Sequence, residues 1–336
     1  MTAIRPQRAP GRVTLALAGD TMLGRGVAEL LCSAPPESLF APEVVQAARE
    51  ADLFVLNLEC CVSTRGEPWP APGKPFFFRA PPVAVDALAH LGVDCVTLAN
   101  NHALDFGRAA LLDTIEHLRV AGIAAVGAGA DLEEARSPVL LEANGLRLAV
   151  IGVTDHPEHY EAGPGRPGVA YARFVSGVPD WLLQTIAGAK ADAVLVTPHW
   201  GPNMARHPLR PVRASAARLL AAGATMIAGH SAHVFQGVEG AVLYDLGDFI
   251  DDSATDPELR NDLGLLFLLT LDADGPLRFE ALPLKLEHCH TRLAEGSDEA
   301  WVRQRFRRAC AHFGTRITVE GRRLVVDFRP AEQRTA

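Results

Sequence analysis

Ile227-Ala228-Gly229-His230-Ser231-Ala232-His233-Val234 joins an apolar run to a glycine-led turn that carries two histidines three residues apart. The run, which begins at Thr225, is typical of the end of a buried strand. Imidazole is the commonest transition-metal ligand, and a loop at a strand end can direct two histidines at one point. Taken alone, the stretch also fits an ordinary surface loop, so its meaning depends on the rest of the chain.

Four other short apolar runs also end in side chains that can bind a metal or move a proton. Asp20 follows the run 13–18, Glu59 follows 53–58, Asn100-Asn101-His102 follows 95–99, and His199 follows 193–197. Helical patterns separate these runs, and the strands 263–271 and 277–286 are typical of a hairpin. The pattern predicts a layered α/β sandwich with mixed sheets, because alternating strands and helices pair in parallel and the hairpin adds antiparallel strands.

Length and composition are those of a globular enzyme. The chain has 336 residues, a formal net charge of −8 and 21% charged residues, which gives no electrostatic case for nucleic acid. Its basic run, 303–308, is expected to be the solvated face of a helix. No run reaches the roughly 18 apolar residues of a membrane span, and no leader-like segment is present, so we expect a cytoplasmic protein without a membrane partner.

A single folded domain is expected. We divide the chain into a flexible N-terminus at 1–12, a catalytic domain at 13–290, and a C-terminal helix with strands at 291–336 that packs on the same domain. The six cysteines show no C-x-x-C spacing, and several lie in apolar stretches. They are therefore expected to be reduced and mostly buried.

The polar strand ends are expected to meet, because functional groups in α/β sheets collect beyond the carboxyl ends of the strands. They offer carboxylate, amide and imidazole donors, a mixed set that suits Mn, Fe or Zn, or Mg or Ca if the oxygens dominate. Each residue also has a plain structural explanation: Asp20 as a helix cap, Glu59 as a solvated carboxylate, Asn100-Asn101 as a turn, and His199 as packing beside Trp200. Five such residues at successive strand ends are better explained by a shared site.

Seven segments together resemble the CapA family, the capsule poly-γ-glutamate synthesis family that is related to the calcineurin-like metallophosphoesterases. In order along the chain they are Gly19-Asp20-Thr21-Met22-Leu23-Gly24-Arg25, Asn57-Leu58-Glu59, Lys74-Pro75-Phe76-Phe77-Phe78-Arg79, Leu98-Ala99-Asn100-Asn101-His102-Ala103-Leu104-Asp105, His199-Trp200-Gly201, Gly229-His230 with His233-Val234, and Leu246-Gly247-Asp248-Phe249. The resemblance covers about residues 13 to 285 and implies a metallophosphoesterase-like α/β sandwich with its metal site at the strand ends.

The resemblance implies a role for each residue. Glu59 matches the bridging aspartate of a metallophosphoesterase, and the remaining ligands of that metal position match Asn101, His199 and His230. Ligands of the other metal position match Asp20 and His233, and the histidine that protonates a leaving group matches His102.

Two departures from the family pattern change what these residues are expected to do. Met22 stands where a two-metal phosphoesterase has a histidine, and methionine is a poor ligand for such ions, so we expect one divalent ion (Mn, Zn, Fe, Mg or Ca) rather than two. Asp20 and His233 are then expected to face each other across the substrate as an acid–base pair. Asp248 stands where the family usually has asparagine, and it is expected to be another acid, a partner for a ligating histidine, or a turn residue.

The substrate is expected to be a peptide or a polyglutamate-like chain. Arg25 and Arg79 are candidates to grip a carboxylate, and Asn100, Trp200 and Asp248 are further candidate substrate contacts. The reaction we favour is Cα epimerisation of a ribosomal peptide, such as a lasso precursor. The alternatives are amide hydrolysis or transfer in γ-polyglutamate metabolism, phosphoester hydrolysis, and a non-catalytic metal-binding scaffold. The oligomeric state is left open.

Overall fold

Strands rich in leucine, valine and alanine alternate with short amphipathic helices over most of the chain. A computed structural model describes residues 11–70 and 72–328. Twenty strands form in these ranges: β1 Val13–Thr21, β2 Leu53–Leu58, β3 Cys61–Val62, β4 Arg79–Ala80, β5 Cys95–Thr97, β6 Ala124–Val126, β7 Ala128–Gly129, β8 Val139–Ala143, β9 Leu146–Thr154, β10 Gly168–Val169, β11 Ala193–His199, β12 Met226–Ala228, β13 Val238–Glu239, β14 Val242–Leu243, β15 Asp248–Ile250, β16 Leu263–Asp272, β17 Gly275–Glu287, β18 His290–Leu293, β19 Thr318–Glu320 and β20 Arg323–Asp327.

Eight α-helices form in the same described ranges: α1 Arg25–Leu31, α2 Pro42–Ala48, α3 Ala84–Leu91, α4 Gly107–Val120, α5 Leu132–Arg136, α6 Asp180–Ala187, α7 Arg210–Ala221 and α8 Gly296–Ala311. None of the helices in the described part of the chain combines the length and apolar character that a bilayer crossing requires. The six cysteines are free, and Cys32 alone among them is exposed, which confirms the expectation of mostly buried thiols.

Two mixed sheets carry the architecture. The larger has the strand order β19-β20-β17-β16-β1-β2-β5-β6, with β15 also paired to β1 and β18 to β17. Its β1, β2, β5 and β6 run parallel, whereas β16, β17 and β20 run antiparallel. The smaller sheet has the order β13-β14-β12-β11-β9-β8, with β9, β11, β12 and β14 parallel. The predicted layered α/β class with mixed sheets is confirmed.

The alternation of side chains along the strands builds the layers. Leu15 and Leu17 of β1 point into one core with Leu148 and Val150 of β9, so the two sheets pack face to face. Ala16 on the other face of β1 belongs to a second core, together with residues of α1 to α4. The outer face of the smaller sheet packs on α6 and α7. The result is an α/β/β/α sandwich, in which the parallel strands of both sheets end at one edge.

The C-terminal segment is integrated into this sandwich. Strands β19 and β20 extend the larger sheet, and α8 contributes Val302, Phe306 and Cys310 to the core between the sheets. One expectation for α8 is wrong: its basic run is not wholly a solvated face, because Arg305 lies partly buried against Phe235 and Trp301. The first ten residues of the segment expected to be a flexible N-terminus lie outside the described residues.

Candidate metal centre and reaction cleft

The polar strand ends meet at the shared edge of the two sheets. Asp20 lies at the end of β1 and Glu59 directly after β2, while His199 closes β11. Trp200 N donates to His230 O at 3.1 Å, and His230 N donates to Pro198 O at 3.0 Å, so backbone pairing holds the two histidine-bearing ends side by side. Asp20, Glu59 and His199 are completely buried, and His230 is 1% exposed. Sequence positions more than 200 apart thus form one cluster.

Gly229 makes the close approach of the His230 turn possible. A side chain there would begin 2.3 Å from Tyr244 O and 2.4 Å from Trp200 Nε1, both far inside van der Waals contact. The glycine in the turn therefore has a packing reason, and it sets where the imidazole of His230 lies.

Three buried polar atoms of the residues predicted as metal ligands have no hydrogen-bond partner. They are Glu59 Oε1, Asn101 Oδ1 and His199 Nε2, and Glu59 Oε1 lies 3.8 Å from His199 Nε2. An unpaired buried polar group costs about 1–3 kcal/mol, so three of them together need an explanation. A divalent cation provides one, since carboxylate, amide and imidazole donors are the ligand types that borderline metals accept. The donor set predicted from the sequence therefore fits a metal ion.

The contact between the imidazole rings of His199 and His230 also supports a metal ion at this place. His199 Nδ1 lies 2.7 Å from His230 Nδ1, and His230 Nε2 lies 3.0 Å from Thr197 Oγ1. If His199 Nδ1 carries the proton of this contact, the lone pair of His199 is on Nε2, which is the unpaired atom. Burial and the neighbouring His230 hold the pKa of His199 well below its ordinary value. The neutral ring is the form that binds metals.

A second group of three possible metal ligands, Asp20, His233 and Asp248, lies next to these residues. Asp20 Oδ2 and Asp248 Oδ1 lie 3.2 and 2.8 Å from His233 Nδ1. Asp20 also accepts hydrogen bonds from Asn57 Nδ2 at 2.7 Å and from Ser231 N at 3.2 Å. Burial raises the pKa of Asp20, but the hydrogen bond and charge of His233 outweigh it, so the pKa is lowered overall.

Asp20 and His233 lie on the same side of the cleft edge, with Asp20 Oδ2 3.2 Å from His233 Nδ1, instead of facing each other across a gap. Their side chains are in direct contact, which leaves no room for a substrate atom between them. Burial lowers the pKa of His233, but the carboxylates of Asp248 and Glu59 raise it well above its ordinary value overall. Of the three roles expected for Asp248, the structure shows it as a hydrogen-bond partner of a histidine.

His102 pairs with the carboxylate of Asp105. The sequence reasoning did not identify Asp105 as a functional residue. The Nδ1 of His102 lies 2.6 Å from Asp105 Oδ2, and its Nε2 lies 3.8 Å from Glu59 Oε1. Lys74 Nζ lies 2.7 Å from Asp105 Oδ1, and Tyr160 donates to the same oxygen at 3.2 Å. The spacing of three residues between His102 and Asp105 was a usable signal, whereas nothing local connects Lys74 or Tyr160 to them.

A cleft of about 380 Å³ opens beside this cluster. Its walls include Met22, Arg25, Phe78, His102 and His233. The guanidinium of Arg25 lies 5.5 Å from the ring centre of Phe78 and 3.2 Å from Asp252 Oδ2. The cleft thus presents two histidines and one arginine next to the unpaired donor atoms.

Three of the expected substrate contacts do not line the cleft. Trp200 is 3% exposed in the core of the smaller sheet, and its Nε1 donates to Tyr244 O at 2.9 Å. Asn100 is completely buried and donates to Asn57 Oδ1 and Leu58 O. Arg79 lies 4.1 Å from the ring centre of Phe106 and donates to the backbone of the 64–66 turn. The side-chain N–H groups of Trp200 and Asn100 are already bonded inside the protein, and Asn100 connects through Asn57 to Asp20.

The sequence of this chain is similar to one family model and to several bacterial proteins. The family model described as "Bacterial capsule synthesis protein PGA_cap" matches residues 14–253. A "Probable polyglutamine synthesis accessory protein" of Mycobacterium tuberculosis is 32% identical, over 92% of this chain and 94% of its own length. The "Capsule biosynthesis protein CapA" of Bacillus anthracis is 31% identical over 82% of this chain and 68% of its own, and the "PGA biosynthesis protein CapA" of Bacillus subtilis 30% over 80% and 70%.

Proposed function

The chain belongs to the PGA_cap family of bacterial capsule synthesis proteins, and we propose that it is a metal-dependent enzyme that acts on an amide bond of a glutamyl-type peptide chain. The observation that carries the proposal is the group of three unpaired buried donor atoms on Glu59, Asn101 and His199, beside a cleft lined by two histidines. The names of the relatives support a substrate of the polyglutamate type.

Glu59, Asn101 and His199 would hold one divalent ion, and His230 would orient the His199 ring through the contact between their Nδ1 atoms. When bound there, such an ion supplies a Lewis acid for a substrate carbonyl. The protein around these ligand residues excludes water, since Glu59 and His199 are completely buried. His102 lines the cleft and its Nε2 lies 3.8 Å from Glu59 Oε1, so an amide carbonyl in the cleft would lie next to the donor atoms.

Two histidines would move the protons. His102 and His233 each have Nδ1 within 2.8 Å of a carboxylate, Asp105 and Asp248 respectively. A carboxylate at Nδ1 fixes both the tautomer and the orientation of a ring, and leaves Nε2 to exchange a proton with a substrate. Hydrolysis needs one group to accept a proton from water and one to donate a proton to the leaving nitrogen. The two histidines satisfy both requirements.

Cα epimerisation is the second candidate, and it now involves a different pair of bases. His102 follows β5 of the larger sheet and His233 follows β12 of the smaller sheet, so the two rings reach the same cleft from opposite layers. Two bases on opposite sides of a Cα atom are what epimerisation requires, and the contacting pair Asp20 and His233 does not meet that requirement.

The test is to incubate the metal-loaded protein in deuterated water with γ-linked and α-linked pentaglutamate, and to analyse products by mass spectrometry and chiral amino-acid analysis. Amide cleavage is expected to give shorter chains with new amino termini. Epimerisation would instead give uncleaved chains that carry one deuterium and a D-residue.

Two control reactions complete the test. The His102→Gln and His233→Gln proteins should both lose turnover while each keeps its metal. Intact, undeuterated peptides together with rapid hydrolysis of a phosphodiester would overturn the proposal in favour of phosphoesterase activity.

A further inference from the structure

A second pocket, of about 280 Å³, lies where α8 meets two loops. Positively charged and aromatic side chains dominate its wall, which includes Arg206, His207, Glu258, Trp301, Arg305 and Arg308. The wall of the pocket thus carries three guanidinium groups and one carboxylate, although the whole chain has a formal net charge of −8. None of these residues takes part in the site described above.

Arg305 is the residue that most needs an explanation. Its guanidinium carbon lies 5.1 Å from the ring centre of Phe235 and 5.5 Å from that of Trp301. Its Nε is buried without a hydrogen-bond partner, and its Nη2 donates to Phe235 O over a long 3.4 Å. No carboxylate of the described residues forms an ion pair with it. Burial, and then the charge of Arg206, lower the pKa of Arg305 to about 10.

The other charges of the pocket do not neutralise Arg305. Glu258 pairs with Arg206 at 3.2 Å, and both side chains are more than half exposed, so that pair is weak. Arg308 is exposed and forms no ion pair among the described residues. Burial and the nearby His312 lower the pKa of His207, which favours its neutral form. A desolvated guanidinium without a counter-ion, with a second arginine beside it, is the arrangement that binds a carboxylate in bidentate fashion.

The pocket adjoins the reaction cleft. Met204 lines the cleft and Arg206, two residues later, lines the pocket, which limits the distance between their Cα atoms to roughly 7.6 Å. The loop that contributes Asn261 to the cleft also contributes Glu258 to the pocket. A chain that bears regularly spaced carboxylates can therefore reach both places at once.

We propose that this pocket is an anion subsite, in which Arg305 and Arg308 bind a carboxylate of the same acidic peptide chain whose amide bond lies in the cleft. The assignment rests on the function proposed for the cleft. It would make the enzyme select acidic chains several residues long over short or neutral peptides.

Calorimetric titration with γ-linked pentaglutamate tests the subsite. The titrated protein carries His233→Gln, so that binding is measured without turnover. Arg305→Gln and the exposed change Arg308→Gln should each weaken binding by roughly tenfold or more, as expected for the loss of a charge-assisted hydrogen bond. The matched control is Arg307→Gln, which removes the same charge from an exposed position of α8 outside the pocket and should leave binding unchanged. A pentamer whose α-carboxylates are converted to amides should bind weakly to every variant.

The outcomes separate the two proposals. If Arg305→Gln and Arg308→Gln bind pentaglutamate as tightly as Arg307→Gln does, the subsite is overturned even when the cleft cleaves the chain. If both variants bind weakly but the protein with His233 intact shows no cleavage or deuterium uptake, the subsite stands and the cleft proposal fails. If Arg305→Gln does not fold, Arg308→Gln decides, because its side chain is exposed.

Discussion

Replacing Glu59 with glutamine should stabilise the metal-free protein and abolish its stabilisation by metal. The Glu59 carboxylate is completely buried, and its Oε1 has no hydrogen-bond partner. Burial and the charge of Asp20 raise the pKa of Glu59 well above its ordinary 4.5, so ionisation of this group opposes folding. Glutamine has nearly the same shape and no charge. We expect Glu59→Gln to raise the free energy of unfolding of the metal-free protein at pH 7, by about 1.4 kcal/mol for each unit by which folding raises the pKa of the carboxyl group.

The pH dependence follows from the direction of the pKa shift. A carboxyl group whose pKa is raised on folding costs no stability below its unfolded pKa, and destabilises the fold increasingly as the pH rises above it. The advantage of the Glu59→Gln protein should therefore vanish near pH 4 and grow towards neutral pH. The exposed Glu142 on β8 supplies the matched control, since Glu142→Gln should show no such trend.

Metal addition should raise the stability of the native protein and leave that of the Glu59→Gln protein unchanged. A ligand at 100 times its Kd stabilises the protein it binds by about 2.7 kcal/mol, which for 336 residues corresponds to a Tm increase of roughly 4 °C. The native protein should show this increase and Glu59→Gln should not. Scanning calorimetry and metal analysis of both proteins provide the measurement. A metal-free variant less stable than the native protein, or a full metal-induced shift in the variant, would refute the reasoning.

Four further substitutions test other parts of the site. Met22→His should raise the bound metal from one ion to two per chain, because Asp20, His233 and Asp248 already lie together; unchanged stoichiometry in metal analysis would show that residue 22 points elsewhere. His233→Gln should cut kcat by about a hundredfold or more without loss of metal, and a metal-depleted variant would make His233 a ligand instead. Trp200→Phe should cost about 1–3 kcal/mol in urea unfolding and leave KM unchanged, since its Nε1 bonds inside the core; a changed KM would restore it as a substrate contact. Gly229→Ala should destabilise the protein by about 2 kcal/mol or more and weaken metal binding, and a variant as stable as the native protein would contradict the packing reason for this glycine.

Local sequence patterns determined the layered α/β class and the location of the candidate site. Strand period and helix period are set by backbone geometry over a few residues, so apolar runs could be read directly as strands, and the polar residues that follow them as neighbours at one sheet edge. Glu59, Asn101 and His199 were predicted as metal ligands on that basis together with the family resemblance, and each has an unpaired buried atom in the structure.

Only the packing of the two sheets decided what each polar group touches. Asp20 and His233, separated by more than 200 residues, are in contact rather than opposed, and Trp200 is in the core instead of the cleft. Lys74 reaches Asp105 from a proline-rich loop, and Arg305 is partly buried against Phe235 and Trp301 although Gln304 and Arg307 on the same helix are exposed. Such contacts join residues far apart in the chain and depend on side-chain directions that no local periodicity encodes, so they follow from the tertiary structure alone.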